Sequence, residues 1–353
     1  MTGTNDSNDL TALLASGAAH NQAGEFDEAV ADFKRALALA SDVSSGPGLE
    51  QSEAAFGLAA ALRALEDYEE AEPVYEHAFS LDPDPAEPYW ELGYTREMLG
   101  NRVGAAWAYR ECLAREADHG VARHLLDALT GATTASAPDD YVTALFDDYA
   151  KDFDRSMAED LQYTVPDALA RKLGEICARP ENTAGATFTR TLDLGAGTGL
   201  TGTAIRKFAA DIHAVDLSPE MLALATARGI YSKTFAAGMA AFLAAPEKEF
   251  PGAHQSYDLL ISGDALVYIG DLAPLFRSAG QRLIPGGWFL FTVEAAENED
   301  FVLQNTGRYA HGARYLRTIA AEAGFHPGTL DAITPRRDGG TDIKGLLGAF
   351  PIT

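Results

Sequence analysis

The sequence predicts an all-α repeat domain followed by an α/β domain with an open, mostly parallel sheet. Up to about residue 130, small and aromatic residues recur in three similar segments. From about residue 187, short apolar runs alternate with helical stretches instead. The intervening segment 131–138 is small, polar and ends in proline, which is typical of a linker. We therefore predict a flexible tail at 1–9, repeats over 10–130, a linker at 131–139 and a second domain over 140–353.

Composition and charge limit the function. The 353 residues are 47% hydrophobic and carry a net charge of −25, and residues 1–130 hold 8 basic against 24 acidic side chains. A surface this acidic repels phosphate backbones and anionic lipid, so we expect no nucleic-acid or membrane partner. The two cysteines, Cys112 and Cys177, provide neither a disulfide framework nor a metal cage. With no signal peptide apparent, these features predict a cytoplasmic protein without a bound metal.

The repeats share a template in which alanines and aromatics alternate at helical spacing. Ala71 and Ala105 lie 34 residues apart, whereas Ala29 and Ala71 are separated by 42, which is one period plus an insertion around 44–48. Small residues suit the crossing of two helices, and aromatics fill the gap to the next repeat. The pattern resembles the tetratricopeptide repeat. The resemblance implies three antiparallel helix pairs, with 121–129 as a capping helix.

The resemblance also implies a concave groove that holds a protein or peptide partner. The acidic excess of this half would favour a basic partner through long-range attraction. The alternative is that the acidic residues only solvate the outer faces of the helices. The sequence leaves both interpretations open.

The second half predicts seven strands and four helices in alternation. Ligands of such sheets bind beyond the carboxyl ends of the strands. The predicted strands are 191–194, 212–215, 234–236, 257–262, 288–293, 326–333 and 345–350, and the predicted helices lie near 200–209, 219–228, 271–283 and 312–323.

The most informative segment is Asp193–Gly202, in which an apolar strand leads through closely spaced glycines into a helix. Glycine permits a sharp turn and the close approach of a ligand to the backbone. Asp216 follows Gly197 by nineteen residues and ends the next apolar run, where a carboxylate can accept both hydroxyls of a ribose. A nucleoside-containing cofactor is therefore predicted.

Two cofactor classes fit a glycine-rich turn. Gly197, Gly199 and Gly202 satisfy the dinucleotide fingerprint, which would indicate a nicotinamide-dependent oxidoreductase. Asp193 argues against it, because a carboxylate repels a pyrophosphate but attracts the ammonium group of an amino-acid cofactor. The glycines also begin closer to the strand than the dinucleotide fingerprint expects. Further along the chain, Asp258 opens a predicted strand and the Pro-Gly-Gly at 285–287 precedes the next one. Together these motifs resemble class I S-adenosylmethionine-dependent methyltransferases, and specifically the predicted branch with tetratricopeptide repeats in front.

The resemblance implies a Rossmann-like, seven-stranded sheet whose last strand is antiparallel, and S-adenosyl-L-methionine as the cofactor. Asp193 and the glycine turn would hold its amino-acid end, and Asp216 would hold the ribose. Phe146, Tyr149 and Phe153 fall on one helical face that either covers the cofactor or packs on the sheet. The implied cofactor-binding residues are Tyr149, Asp193, Gly195, Ala196, Gly197, Gly199, Asp216, Leu217, Met221, Gly238 and Met239.

Gly238 departs from the family pattern. After the third strand the family usually has an acidic residue that accepts a hydrogen bond from the adenine amino group. With glycine there, either a backbone carbonyl substitutes or the affinity falls, since an unmade hydrogen bond costs about 1–3 kcal/mol in a partly buried site. We expect weakened but retained cofactor binding.

Candidate catalytic residues follow the strand ends. Asp264, Tyr268 and Glu294 lie at or just past predicted carboxyl ends, and His311 belongs to a predicted loop with Arg308 and Arg314. His311 has the ordinary pKa best suited to a base, although a histidine near a helix start also serves as a cap. Asp264, Tyr268 and His311 are the predicted catalytic residues, with the methyl acceptor unidentified. The alternative is an adaptor whose repeats do the work and whose methyltransferase fold is degenerate.

Overall fold

The computed structural model describes residues 3–42, 48–150, 153–178, 187–254 and 256–352. The chain divides into two compact units, Met1–Thr130 and Gly131–Thr353. Among the described residues, the regular elements of the first unit are helices, and the second unit is built around one large sheet.

The first unit consists of three consecutive helix pairs and a final helix, which confirms the predicted repeat architecture. Phe33 shows how the pairs pack, because a Cβ atom on Gly17 or Gly57 would lie 2.9 or 2.4 Å from its ring. The small residues therefore leave the space that the aromatic side chain fills. The helices are α1 (Gly3–Ala23), α2 (Phe26–Asp42), α3 (Leu49–Ala64), α4 (Tyr68–Leu81), α5 (Glu87–Met98), α6 (Arg102–Arg115) and α7 (Gly120–Thr130).

The start of the chain differs from the prediction. Residues 3–9 belong to α1 rather than to a flexible tail. Helix formation is cooperative, and the buried leucines Leu10, Leu13 and Leu14 anchor a helix that extends into the polar residues before them. The predicted insertion around 44–48 falls largely on residues 43–47, which lie outside the described residues.

The second unit begins with three helices, and its sheet follows. The helices are α8 (Asp139–Tyr149), α9 (Phe153–Glu159), α10 (Val165–Cys177), α11 (Leu200–Ile205), α12 (Pro219–Ala227), α13 (Met239–Ala244), α14 (Ala273–Arg282) and α15 (Ala313–Glu322). The strands are β1 (Phe188–Leu194), β2 (Ala209–Asp216), β3 (Lys233–Ala236), β4 (Tyr257–Ser262), β5 (Leu283–Ala296), β6 (Phe301–Leu303), β7 (Tyr309–Gly312), β8 (Thr329–Ile333), β9 (Arg337–Asp338), β10 (Thr341–Asp342) and β11 (Gly345–Pro351).

The sheet order confirms the expected topology. The strands run β3-β2-β1-β4-β5-β11-β8, and β11 pairs antiparallel with both β5 and β8. The dinucleotide-binding order is 3-2-1-4-5-6, without this reversed strand. Alternate residues of each strand face opposite sides, so that α13, α14 and α15 pack on one face and α10 and α11 on the other. The carboxyl ends of the first five strands therefore share one edge.

Four of the described strands were not predicted: β9 and β10, which form a separate two-stranded sheet, and β6 and β7, which extend the main sheet. β7 pairs in parallel with the end of β5, placing Glu294 opposite Ala310, and β6 pairs antiparallel with β7. The sequence predicted a loop around residues 308–314. A four-residue strand was not recognised there, because it pairs only with β6 and with the last residues of the long strand β5. His311 consequently lies on a strand.

The predicted linker is bound to the second unit. The N–H of Ala137 donates to the carbonyl of Tyr268 at 2.9 Å, and the N–H of Gly270 donates to the carbonyl of Ala135 at 2.9 Å. Composition alone suggested a free linker, since backbone pairing with a distant turn leaves no local sequence signal. Residues 135–137 therefore position the start of α8.

Candidate functional site

The glycine-rich turn joins the end of β1 to α11. Gly195, Gly197 and Gly199 have φ angles of +70°, +53° and +91°, the left-handed region that favours glycine. A Cβ atom on Gly195 would lie 2.2 Å from that of Ala265, whereas one on Gly197 would meet no atom within 4 Å. Gly195 is therefore needed for packing, while the backbone at Gly197 faces open space that a ligand can approach. Ala196, between them, is buried.

Asp216 closes the same turn from the end of β2. Its Oδ2 accepts a hydrogen bond from the N–H of Gly197 at 2.8 Å, and its Oδ1 accepts one from the N–H of Ser218 at 3.0 Å. Burial raises the pKa of this carboxyl, and the backbone N–H groups oppose that shift. Because each carboxylate oxygen can accept more than one bond, Asp216 keeps acceptor capacity for a vicinal diol such as that of a ribose.

Asp193 lies at the end of β1 but has no exposed surface. The hydroxyl of Tyr231 donates to its Oδ2 at 2.7 Å, and the ring of Tyr231 covers the carboxylate by packing on Gly199 and Gly202. In this conformation the carboxylate is therefore shielded from solvent, and its role in holding the amino-acid end of a cofactor stays a prediction. No local pattern predicted the contact of Tyr231, which lies 38 residues from Asp193 in the chain.

The electrostatics of Asp193 nevertheless fit a cation. Its Oδ1 makes no hydrogen bond to the described residues. Burial raises its pKa to about 7, and the neighbouring Asp216 adds to this shift, although the Tyr231 hydroxyl opposes it. A positive group above the turn would stabilise both carboxylates, whereas a diphosphate would meet their repulsion.

The side expected to hold a nucleoside base lies beyond Asp216, toward the end of β3. Gly238 precedes α13, and a Cβ atom built on it would lie 3.7 Å from Leu217 and 3.8 Å from a carboxylate oxygen of Asp139. The sulfur of Met239 lies 3.4 Å from where a Cβ atom on Gly195 would be. The structure therefore brings Leu217 and Gly238 close together beside Met239, and their contact with a cofactor stays a prediction.

Met221 does not join this group. Its side chain is fully buried in the first turns of α12, where its N–H donates to the hydroxyl of Ser218 at 3.0 Å. It has no exposed surface in this conformation, and its contact with a base stays a prediction.

The aromatic residues ahead of the sheet divide between two helices. The helix ends at Tyr149 and a new one begins at Phe153, so the predicted continuous face is wrong, although the rings of Phe146 and Phe153 remain 6.2 Å apart. Phe146 packs edge-on against Tyr268 at 5.4 Å. The hydroxyl of Tyr149 donates to Ser156, so this side chain bridges the two helices, and its contact with a cofactor stays a prediction.

A buried arginine dominates the second half of the site. Arg336 donates to Oδ2 of Asp264 at 2.5 Å and to a carboxylate oxygen of Glu294, although its own side chain is only 2% exposed. Asp264 has a φ of +60°, and its Oδ1 makes no hydrogen bond to the described residues. Burial raises the pKa of Asp264, while Arg336 opposes the shift. Arg336 was not identified from the sequence. The one indication of it was that Asp264 and Glu294, both placed near strand ends, would need a positive partner if buried.

His311 is fully buried and does not have the geometry of an acceptor-facing base. Its Nε2 lies 2.9 Å from the carbonyl of Ile269 and 3.0 Å from that of Gly270, so it carries the proton and donates to them. Burial lowers its pKa to about 4. In this conformation His311 connects β7 to the turn after β4, and its catalytic role stays a prediction. Tyr268 in that turn is 7% exposed.

A separate histidine cluster lies near the start of β2. Asp211, His213 and His254 offer three ligand atoms within 4.8 Å of one another. The two imidazole rings stack with centroids 4.3 Å apart and an interplanar angle of 6°. Parallel rings direct their nitrogen lone pairs side by side rather than toward one ion. His254 instead pairs with Asp211 at 2.7 Å.

Comparisons with known proteins agree with both units. Residues 9–84 match the family model of the tetratricopeptide repeat, and residues 192–291 match that of a methyltransferase domain. A ubiquinone biosynthesis O-methyltransferase of Bordetella avium is 26% identical over 157 residues, covering 39% of this chain and 62% of that protein. The biotin biosynthesis bifunctional protein BioHC of Saccharophagus degradans is 29% identical over 100 residues, which cover 28% of this chain and 17% of that protein. The chain thus spans less than two thirds of either relative.

Among solved structures, the 1,6-didemethyltoxoflavin-N1-methyltransferase of Burkholderia thailandensis is 18% identical, with a TM-score of 0.45. The alignment covers 62% of this chain and 92% of that one. Within the described part of the chain, none of the helices combines the length and apolar character that crossing a bilayer requires.

Proposed function

We propose that this chain, which carries tetratricopeptide repeats and a methyltransferase domain, is an enzyme that transfers a methyl group from S-adenosylmethionine. The observation that carries the proposal is the hydrogen bond between the Gly197 N–H and Asp216, which joins the glycine turn to the end of β2. It places a carboxylate with free acceptor capacity beside open backbone at the edge where such sheets bind ligands.

The residues around the turn suit this cofactor. S-adenosylmethionine supplies, when bound, a methyl group on a positively charged sulfur. Asp216 would accept the ribose hydroxyls, and the turn at Gly197 would admit the amino-acid end of the cofactor. The potential of Asp193 and Asp216 favours that cation over a diphosphate, which supports a methyltransferase rather than a nicotinamide oxidoreductase.

The acceptor side is centred on Asp264. An acceptor that must lose a proton needs a base near its attacking atom, and Asp264, just past the end of β4, offers a side chain that is 14% exposed, although its Oδ1 is buried without a hydrogen bond to the described residues. Arg336 orients Asp264 through its other oxygen. Much of the rate enhancement would come from holding acceptor and methyl group in line and close together. The acceptor is a small molecule or a protein.

The helical repeats would recruit a protein or peptide partner. The net charge of −16 on residues 1–130 favours a basic segment through long-range attraction. On this basis the repeats deliver either the acceptor or a regulatory protein to the enzyme.

Titration calorimetry with S-adenosylhomocysteine and with NADH tests the proposal. We expect the wild-type chain to bind S-adenosylhomocysteine and not NADH, and Asp216→Ala to weaken binding about tenfold or more, because charge-assisted hydrogen bonds are lost. Glu322→Gln, which changes an exposed acid on α15, is the control. Retained affinity in Asp216→Ala, or preferential NADH binding, would contradict the proposal.

Incubation of the protein with radiolabelled S-adenosylmethionine in a cell lysate tests transfer itself. Label in precipitated protein identifies a protein acceptor, and label in the small-molecule fraction identifies a metabolite. Cofactor binding without any transfer above that of Asp216→Ala would instead support the adaptor alternative.

A further inference from the structure

We propose that Asp139, from outside the sheet, recognises the adenine amino group of the cofactor and takes the place of the acidic residue that position 238 lacks. The inference rests on the proposed function and assigns this chain a residue that determines base specificity. Its basis is the position of the Asp139 carboxylate beside Leu217 and Gly238.

The first step concerns where the base must lie. Asp216 would hold the ribose with the glycine turn on one side, so the base extends to the other side, toward Leu217 and the end of β3. Gly238 ends the loop there and has φ −65° and ψ 139°, an extended conformation that any residue can adopt. The glycine at this position is therefore not required by the backbone.

The second step concerns the space above Gly238. A Cβ atom at this position would make ordinary contacts of 3.7 Å with Leu217 and 3.8 Å with Oδ2 of Asp139. The Asp139 carboxylate thus lies next to where an acidic side chain at 238 would begin. The Asp139 carboxylate already occupies this space, and the carboxylate of an acidic residue at position 238 would repel it.

The third step concerns how Asp139 is held. It is the first residue of α8, directly after the segment whose Ala135 and Ala137 pair with the turn at 268–270. At the other end of α8, Asp147 accepts a hydrogen bond from Ser218, two residues beyond Asp216. Both ends of the helix are therefore attached to the edge that carries the site.

The fourth step concerns chemistry and the choice of residue. The exocyclic amine of adenine is a donor, whereas hypoxanthine carries a carbonyl oxygen in its place, which a carboxylate repels. The neighbouring Asp140 differs from Asp139, because its Oδ1 accepts from the N–H of Tyr141 at 2.9 Å and so faces its own helix. Asp140 is thus a matched control on the same helical turn.

Calorimetry with S-adenosylhomocysteine and S-inosylhomocysteine tests the assignment. We expect the wild-type chain to prefer the adenosyl ligand by about tenfold, in line with a hydrogen bond to a charged acceptor. Asp139→Asn should lose most of that preference, while Asp140→Asn should keep it. Adding Gly238→Asp to Asp139→Asn should restore it, because the carboxylate returns to the same space.

The outcomes separate this inference from the proposed function. An unchanged preference in Asp139→Asn, or an equal loss in Asp140→Asn, would overturn the role of Asp139 while leaving the methyltransferase proposal intact. Failure of the wild-type chain to bind either ligand would refute both. Thermal unfolding of each variant shows whether a lost preference reflects misfolding, and restoration in the double variant excludes that explanation.

Discussion

Arg336 and Glu294 form an ion pair in which the two side chains are only 2% and 6% exposed. Arg336 also binds Asp264, so that one guanidinium joins the residues that follow β4 to the end of β5. An ion pair of this kind need not stabilise a fold relative to apolar packing, but removing one partner leaves an uncompensated buried charge. The group therefore fixes the position of Asp264 relative to the end of β5.

Replacing Arg336 should destabilise the protein strongly. For Arg336→Met we expect a loss of about 3–5 kcal/mol in the free energy of unfolding, because two carboxylates lose their shared counter-charge. Urea denaturation measures the change. The control is Arg337→Met, since Arg337 is 44% exposed and pairs with Asp342 at the surface. Its loss should stay within about 1 kcal/mol. Equal losses in the two variants would contradict the assignment.

Asp193 should make the stability depend on pH. Its pKa is raised by burial to about 7 in the folded chain, above the ordinary value of 3.8, so the folded state binds more protons between these values. Stability should therefore fall as the pH rises from about 4 to about 7. In Asp193→Asn this part of the decrease should disappear, as seen in urea midpoints at pH 5 and pH 8. If Asp193→Asn kept the wild-type pH dependence of stability, Asp193 would not titrate in this range. The control is Asp300→Asn, which replaces an exposed aspartate and should keep that dependence.

His311 should act on stability in the opposite direction. Burial lowers its pKa to about 4, below the ordinary 6.5, so the unfolded chain binds the extra proton and stability should rise with pH across that window. His311→Gln keeps a donor for the carbonyls of Ile269 and Gly270 but cannot titrate. We expect a smaller rise in thermal unfolding temperature from pH 4.5 to pH 6.5, with affinity for S-adenosylhomocysteine unchanged within about twofold. The control His326→Gln replaces an exposed histidine and should show the wild-type change of unfolding temperature with pH. A large loss of affinity for S-adenosylhomocysteine in His311→Gln would instead indicate that His311 belongs to the binding site.

The repeat packing can be tested at Gly57. In Gly57→Ala the new Cβ would lie 2.4 Å from the ring of Phe33, and the expected destabilisation is about 1–3 kcal/mol from overpacking. Phe33→Leu should partly relieve the clash, so the double variant should be more stable than the sum of the single losses indicates. Strict additivity in chemical denaturation would show that the two positions do not interact.

Much of the fold and half of the site followed from local patterns. The strand leading into closely spaced glycines located the turn at 195–199, and the carboxylate after the next apolar run located Asp216. Each of these signals spans a few residues and reports a backbone requirement, such as positive φ at Gly197. The repeats were visible for the same reason, because Gly17 and Phe33 recur in equivalent forms along the chain.

The errors concern residues whose role depends on a distant partner. Tyr231 covers Asp193, and His311 is buried on β7, although the sequence predicted it in a loop. The segment 135–137 looked like a linker until its backbone paired with the turn at 268–270.

The amino-acid sequence alone thus determined the two-unit organisation, the class of the sheet and the position of Asp216 beside the glycine turn, because periodicity and turn chemistry are local. Tertiary structure decided which side chains are accessible and which charges meet. Asp264 and Arg336 stand 72 residues apart, and only the packing of strand ends at one edge brings them within 2.5 Å. Burial and pairing of this kind depend on the whole chain and leave no signal in any short segment.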